Sequence, residues 1–233
     1  MTNPTWFPDE LASVGPEHLD TSYVATYDRK ASTDWMSELD LLRQYELDER
    51  KTLIDLGAGT GLFAEAAAPF CKRVIAVDVS PAMVAMIRAH ADQAGLVNLD
   101  VVQQGMLGYE HQGDPADFVY SRHVLHHLPE FWKVVALQRM AGMLKPGGVL
   151  RLRDLVYSFE PSEANDVIEG WLGRAAATPD VGWTRPELET HVREEYSTFT
   201  WLLEPALERC GFRIERVDDV GSKTYAAYVC VKR

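Results

Sequence analysis

The chain is short of cysteine, of basic runs and of long apolar stretches, and each shortage excludes something. Its 233 residues include three cysteines, Cys71, Cys210 and Cys230. That odd number, without metal-ligand spacing, argues for reduced buried thiols rather than a disulfide framework or a zinc site. No apolar run approaches the roughly 20 residues needed to cross a bilayer. The segment Met1-Thr2-Asn3-Pro4-Thr5-Trp6 lacks the basic-then-apolar order of a secretory signal. A cytoplasmic protein without membrane contact is therefore expected. Net charge is −12. An acidic surface repels phosphate backbones, so nucleic acid is not an expected partner. No internal repeat or low-complexity segment is present. The length suits one domain with an elaboration.

What is present is alternation. Apolar runs and helical patterns predict strands near 52–56, 73–77, 99–103, 116–121 and 148–156, with helices near 61–69, 81–94 and 130–143. Such alternation implies a parallel sheet wrapped by helices. Asp34 is placed to cap a helix running to about Tyr45. Gly211 stops a later helix, and runs at 212–217 and 225–231 read as the last two strands.

The densest signal is Leu53-Ile54-Asp55-Leu56-Gly57-Ala58-Gly59-Thr60-Gly61. An apolar strand breaks into three alternating glycines and a helix follows, which opens room for a nucleotide-like ligand at the sheet's carboxyl edge. A dinucleotide fingerprint reads G-x-G-x-x-G. Here the third glycine comes one position early, with Leu62 at the fingerprint's last position. Asp55 lies two residues before the first glycine. A carboxylate so close to a pyrophosphate would be unhelpful, but it suits a ligand with a positive end. Arg73-Val74-Ile75-Ala76-Val77-Asp78 is a second strand ending in a carboxylate that can accept from two ribose hydroxyls.

This pattern resembles motif I of the class I S-adenosylmethionine (SAM)-dependent methyltransferases. Val79-Ser80-Pro81-Ala82-Met83, Val101-Val102-Gln103-Gln104-Gly105-Met106, Asp117 to Leu128 and Leu144 to Leu150 continue the resemblance in order, over roughly residues 50–156. The family commonly has Asp where this chain has Met106. The resemblance implies a doubly wound, Rossmann-like α/β fold. Its seven-stranded, mostly parallel sheet would carry an antiparallel C-terminal hairpin and, here, a helical insert after strand 5. It implies four segments: an N-terminal arm and helices over the cofactor site (1–50), a SAM-binding core (51–156), an insert serving as a substrate lid (157–204), and the closing helix end and hairpin (205–233). It also implies a cofactor, SAM, held by Tyr27, Asp55, Gly57, Ala58, Gly59, Asp78, Val79, Met83, Gly105, Met106 and Ser121. Arg29 is a candidate for the cofactor's carboxylate. The activity implied is methyl transfer to a small-molecule substrate by in-line displacement.

Because the sulfonium is a good leaving group, alignment and water exclusion carry most of that reaction. No catalytic residue is therefore assigned, though His123 is the foremost base candidate. At helical spacing His123, His126 and His127 would share a face; packing of the strand exit accounts for them better than a metal, and none is expected. Arg151 and Arg153 lie on a strand covered on both faces and need partners. These would be Asp154, a glutamate of the insert, a neighbouring strand or an anionic substrate. Glu187, His191, Glu194 and Glu195 read as a solvated helical face with a His191–Glu195 contact. The rival readings are an NAD-dependent oxidoreductase, a SAM-binding regulatory module without turnover, and a methyltransferase acting on a macromolecule. Neither the accepting atom nor the oligomeric state is written in the motifs.

Overall fold

A computed structural model describes residues 4–12, 34–179, 182–219, 221 and 223–233. Tyr27 and Arg29 lie outside these residues. The main sheet has seven strands in the order β3-β2-β1-β4-β5-β9-β8. They are β1 (Thr52–Leu56), β2 (Arg73–Asp78), β3 (Leu99–Gln103), β4 (Ala116–Arg122), β5 (Leu144–Asp154), β8 (Phe212–Asp219) and β9 (Ala226–Lys232). β1 to β5 are parallel, and β9 runs antiparallel to both β5 and β8. The strand order reverses between β1 and β4, so their carboxyl ends open the crevice in which such sheets bind ligands. The sequence-derived fold is the observed one.

Side-chain alternation along the strands builds two cores. Leu53, Val74 and Ala76 point to one face and Ile54, Ile75 and Val77 to the other, all within 2% of full burial. The first face is covered by α1 (Trp35–Arg43), α2 (Leu62–Ala67) and α3 (Pro81–Ala94), which contribute Leu39, Phe63 and Ile87. The second is covered by α4 (Glu130–Met143) and α7 (Thr200–Arg209) through Leu137, Met140, Leu203 and Leu207. Parallel strands need apolar cover on both faces, and this one has it.

Local chemistry sets the helix ends. Asp34 accepts from the Ser37 N–H at 3.2 Å to start α1. Ser80 accepts from the Met83 N–H at 3.3 Å, Pro81 takes the first turn, and Gly95, at φ +65°, closes α3.

Beyond β5 the chain leaves the sheet. A small parallel pair, β6 (Val156–Tyr157) and β7 (Thr198–Phe199), brackets α5 (Ala164–Leu172) and α6 (Arg185–Glu194). α6 begins with a capping box in which Thr184 and Glu187 serve each other. The insert has its own apolar cluster of Leu155, Trp171, Leu172 and Leu188, with Trp183 and Tyr225 against it. No helix among the described residues is long and apolar enough to cross a membrane.

Candidate cofactor and acceptor site

Two glycines make the crevice possible. Gly57 has φ +75°, and a Cβ there would lie 2.2 Å from Val124 Cγ2 at the exit of β4. Gly59 has φ +57° and faces open space. Backbone is therefore bare at the one place where a ligand must approach it closely. The cleft beside it holds ≈ 730 Å³, counting its open mouth. Its lining brings Gly57, Gly59, Asp78, Val79, Met83, Gly105 and Met106 together with Arg122, His123, Val124, His127 and Leu128. A second lobe adds Trp35, Asp55, Ala58 and Tyr120 and shares Gly57, Gly59, Arg122 and His123. Every sequence-derived cofactor residue among those described lines one of the two, except Ser121. That residue is fully buried in β4, and its Oγ has no partner.

The electrostatics of the crevice are unbalanced. Asp55 is 2% exposed and its Oδ2 has no hydrogen-bond partner among the described residues. Burial, with the Asp78 charge nearby, raises its carboxyl to about 8. Asp78 accepts from the Gly59 N–H and the Ser80 N–H, each at 2.8 Å. Burial still raises it to about 6, against the pull of those donors. A buried carboxyl without a partner is costly. A ligand with a cationic group near Asp55 and hydroxyl donors near Asp78 supplies what is missing, so these residues fit the sulfonium, amino group and ribose of SAM.

The three histidines do not share a helical face. Only Leu125–His127 forms a short 3-10 turn, and His123 sits at φ +55°. His123 turns into the cleft, its N–H donating to the Arg153 carbonyl at 2.8 Å. Its Nε2 is buried without a partner. Burial and the Arg122 charge pull its pKa well below the ordinary value, so the ring is neutral.

His126 turns the other way, into a network that spacing alone could not reveal. Its Nδ1 lies 2.5 Å from Asp154 Oδ1 and its Nε2 lies 3.1 Å from Glu195 Oε2. Glu195 also pairs with His191 Nδ1, and His191 Nε2 reaches Ser197 Oγ at 2.8 Å. Asp154 further accepts from the N–H groups of Leu125 and Leu155, both at 2.7 Å. Against the cost of burial, the two carboxylates raise His126 to about 9, and the imidazoles hold Asp154 and Glu195 well below the carboxylate range. His126, His127 and Glu195 could each turn a ligand atom toward one metal ion. The pairing just described already accounts for His126 and Glu195. It also corrects the expectation of a solvated α6 face: His191 is 9% exposed, and Glu187 is occupied by the Thr184 cap.

The two arginines of β5 meet different fates. Arg151 donates to Glu38 of α1 at 2.9 and 3.0 Å and to Asp218 of β8 at 2.8 Å. Arg153 has no ion pair among the described residues, and its Nε is buried without a partner. Arg122, its register neighbour on β4, also keeps a buried, unpartnered Nη1. Burial and the Arg122 charge lower the pKa of Arg153. Asp154, one of the partners expected for the two arginines, belongs to His126 instead.

Residues 53–148 match the family described as a methyltransferase domain. That segment carries the methyltransferase resemblance, and the chain as a whole shares the fold of SAM-dependent methyltransferases. The chain is 33% identical over 105 residues to a ubiquinone biosynthesis O-methyltransferase from Xanthomonas campestris, covering 44% of the chain and 42% of that protein. A ribosomal protein L11 methyltransferase from Tolumonas auensis is 27% identical over 152 residues, 65% of this chain and 47% of that one. The chain thus spans less than half the length of these curated relatives. Among solved structures, a SAM-dependent methyltransferase from Aquifex aeolicus shares the fold at TM-score 0.63 and 21% identity, with 92% of this chain and 99% of that one covered. A second, from Clostridium acetobutylicum, does so at TM-score 0.68 and 14% identity, with 91% and 98% covered.

Sequence reasoning missed two features, one at the root of the insert and one in the crevice. The Asp154 and Glu195 partners of His126 come from other elements, 28 and 69 positions along the chain. The second is Glu10, which lines the cleft beside Gly105. The one available signal for it was an absence, the missing acid at Met106.

Proposed function

We propose that the protein moves a methyl group from SAM to a small-molecule acceptor bearing an acidic group, by in-line displacement. The observation that carries this reading is one continuous cleft. Its lining joins Asp78, Met83 and Gly105, read here as the ribose and base contacts, to Arg122, His123 and His127. When bound, the cofactor supplies an electrophilic methyl on a sulfonium. The chain's own residues hold, orient and dry the reactants.

Asp78 and the Gly57–Gly59 backbone take the nucleoside, with Val79 and Met83 against the base. Asp55 faces the cationic end. In the same cleft His123 offers a neutral imidazole with an open Nε2, the form that accepts a proton from an acidic hydroxyl. Arg122 lines the cleft, and Arg153 stands beside it on β5 outside the lining; both keep a buried unpaired N–H, an arrangement an anionic oxygen would complete. The insert starts where β5 ends and is tied down there by His126 and Glu195, which supports its reading as a lid. The net charge of −12 favours small acceptors over nucleic acid. The ubiquinone-pathway name of one relative points the same way.

Transfer of labelled methyl from SAM across a panel of hydroxylated carboxylic acids and their esters tests the proposal. Labelling of acids over esters, lost in Arg153→Met, is expected. Labelling of the esters alone, or equal labelling in the variant, would remove the acidic acceptor. Tight binding of SAM with no acceptor labelled would favour a regulatory module.

A further inference from the structure

The adenine end of the cleft contains a side chain that no nearby motif supplies. Glu10 lies in the N-terminal arm, yet its Oε2 accepts from the Leu107 N–H and its Oε1 from the Gly108 N–H, both at 2.9 Å. The arm is anchored beyond the crevice: Trp6 stacks on Trp132 of α4 with centroids 6.0 Å apart, and Phe7 meets the same ring edge-on at 5.4 Å. Gly105 leaves space for the carboxylate, because a Cβ there would lie 2.2 Å from Glu10 Cδ. Met106 cannot accept a hydrogen bond from a base, and it is 5% exposed within the apolar core.

A nucleoside held by Asp78, Val79 and Met83 directs its base toward the loop after β3. Among the residues lining this cleft, Glu10 and Asp78 are the carboxylates, and Asp78 is taken by the sugar. An adenine edge presents an amino group, a donor, which needs an acceptor once buried. A carboxylate fixed by two backbone N–H groups retains a lone pair on each oxygen for that purpose. Burial raises the Glu10 carboxyl, while the amide donors and Arg139 oppose the rise.

We propose that Glu10 is the residue that reads the adenine: the arm carries its carboxylate across the β3 loop to accept from the exocyclic amino group. The proposal rests on the cofactor assignment, and the two can fail separately. It makes the arm part of the cofactor site and explains why Gly105 has no side chain. It also gives the site a reason to reject a base with oxygen at that position, since a carbonyl would face the carboxylate.

Titration calorimetry of the full chain with S-adenosylhomocysteine and S-inosylhomocysteine tests it. The wild type should prefer the adenosyl ligand by at least about tenfold, the scale of one buried polar mismatch. Glu10→Ala should lose roughly tenfold or more on the adenosyl ligand and little on the inosyl one, erasing the preference. Glu10→Gln, which keeps a carbonyl acceptor, should fall between and serves if the alanine variant fails to fold by circular dichroism. Equal losses on both ligands would make Glu10 a structural clasp and overturn the proposal. Unchanged affinity would also overturn it, and tighter binding would show the arm to be a plug. Failure of the folded wild type to bind either ligand would instead defeat the cofactor assignment, and this inference with it.

Discussion

Buried charge is handled in two opposite ways within one molecule. At the root of the insert, His126, Asp154, Glu195 and His191 lie so that each imidazole is within ion-pair distance of a carboxylate, although Glu195 Oε2 makes no hydrogen bond of good geometry among the described residues. In the crevice, Asp55 Oδ2, His123 Nε2 and Arg122 Nη1 are buried and unpaired, and Arg153 Nε beside Arg122 is too. Burial bears on His126 and Asp154 as it does on Asp55 and His123, but the partners differ. In the first, the neighbours stabilise charge and the fold gains rigidity. In the second, burial works against charge and nothing in the described chain answers it. Paired groups read as structural, and the unpaired ones that line the crevice are the ones the proposed ligands would complete.

That contrast breaks most visibly at His126. Replacing it with alanine strands Asp154 in the core and should cost about 3–5 kcal/mol of stability, measured by denaturant unfolding. A loss below about 1 kcal/mol, as an exposed pair would give, would show the network to be incidental. The crevice groups should respond in affinity instead. Asp78→Ala should weaken S-adenosylhomocysteine binding by about 1–3 kcal/mol, the cost of losing hydrogen bonds to a buried partner. Asp78→Asn should lose less, and full affinity in the alanine variant would misplace the ribose.

Two smaller effects follow from the pKa shifts. Asp55 titrates near 8, so at pH 7 it is largely protonated. A cationic ligand group beside it should drive off up to one proton on binding. Calorimetric enthalpies at pH 7 should then vary with the ionisation enthalpy of the buffer, and a flat dependence would contradict the placement. For His126 the folded value, about 9, lies above the unfolded value of about 6.5. Its contribution is therefore fully present below about pH 6.5 and lost as pH rises through about 9. The melting temperature of the wild type should fall between those limits more than that of His126→Gln, and parallel curves would deny the linkage.

The same contrast explains what could be read from residues in order. The strands, the glycine turn, Asp78 and the closing hairpin are local patterns with their own periodicity, and they lie where the sequence puts them. Asp34 and Ser80 announce their caps within three residues. The His126 network is different, since it joins the β4 exit, the end of β5 and the end of α6. No spacing rule links those positions. Arg151 and Arg153 look alike on the strand, and distant Glu38 and Asp218 decide which of them is neutralised. Glu10 is 97 positions from the Leu107 amide it meets, so its role emerges once the chain is folded.

The account stands most directly on a crystal soaked in S-adenosylhomocysteine. It predicts ribose hydroxyls on Asp78, the amino group beside Asp55 and the base against the Gly105–Leu107 backbone. Density for the nucleoside elsewhere, or an empty crevice at saturating ligand, would contradict it.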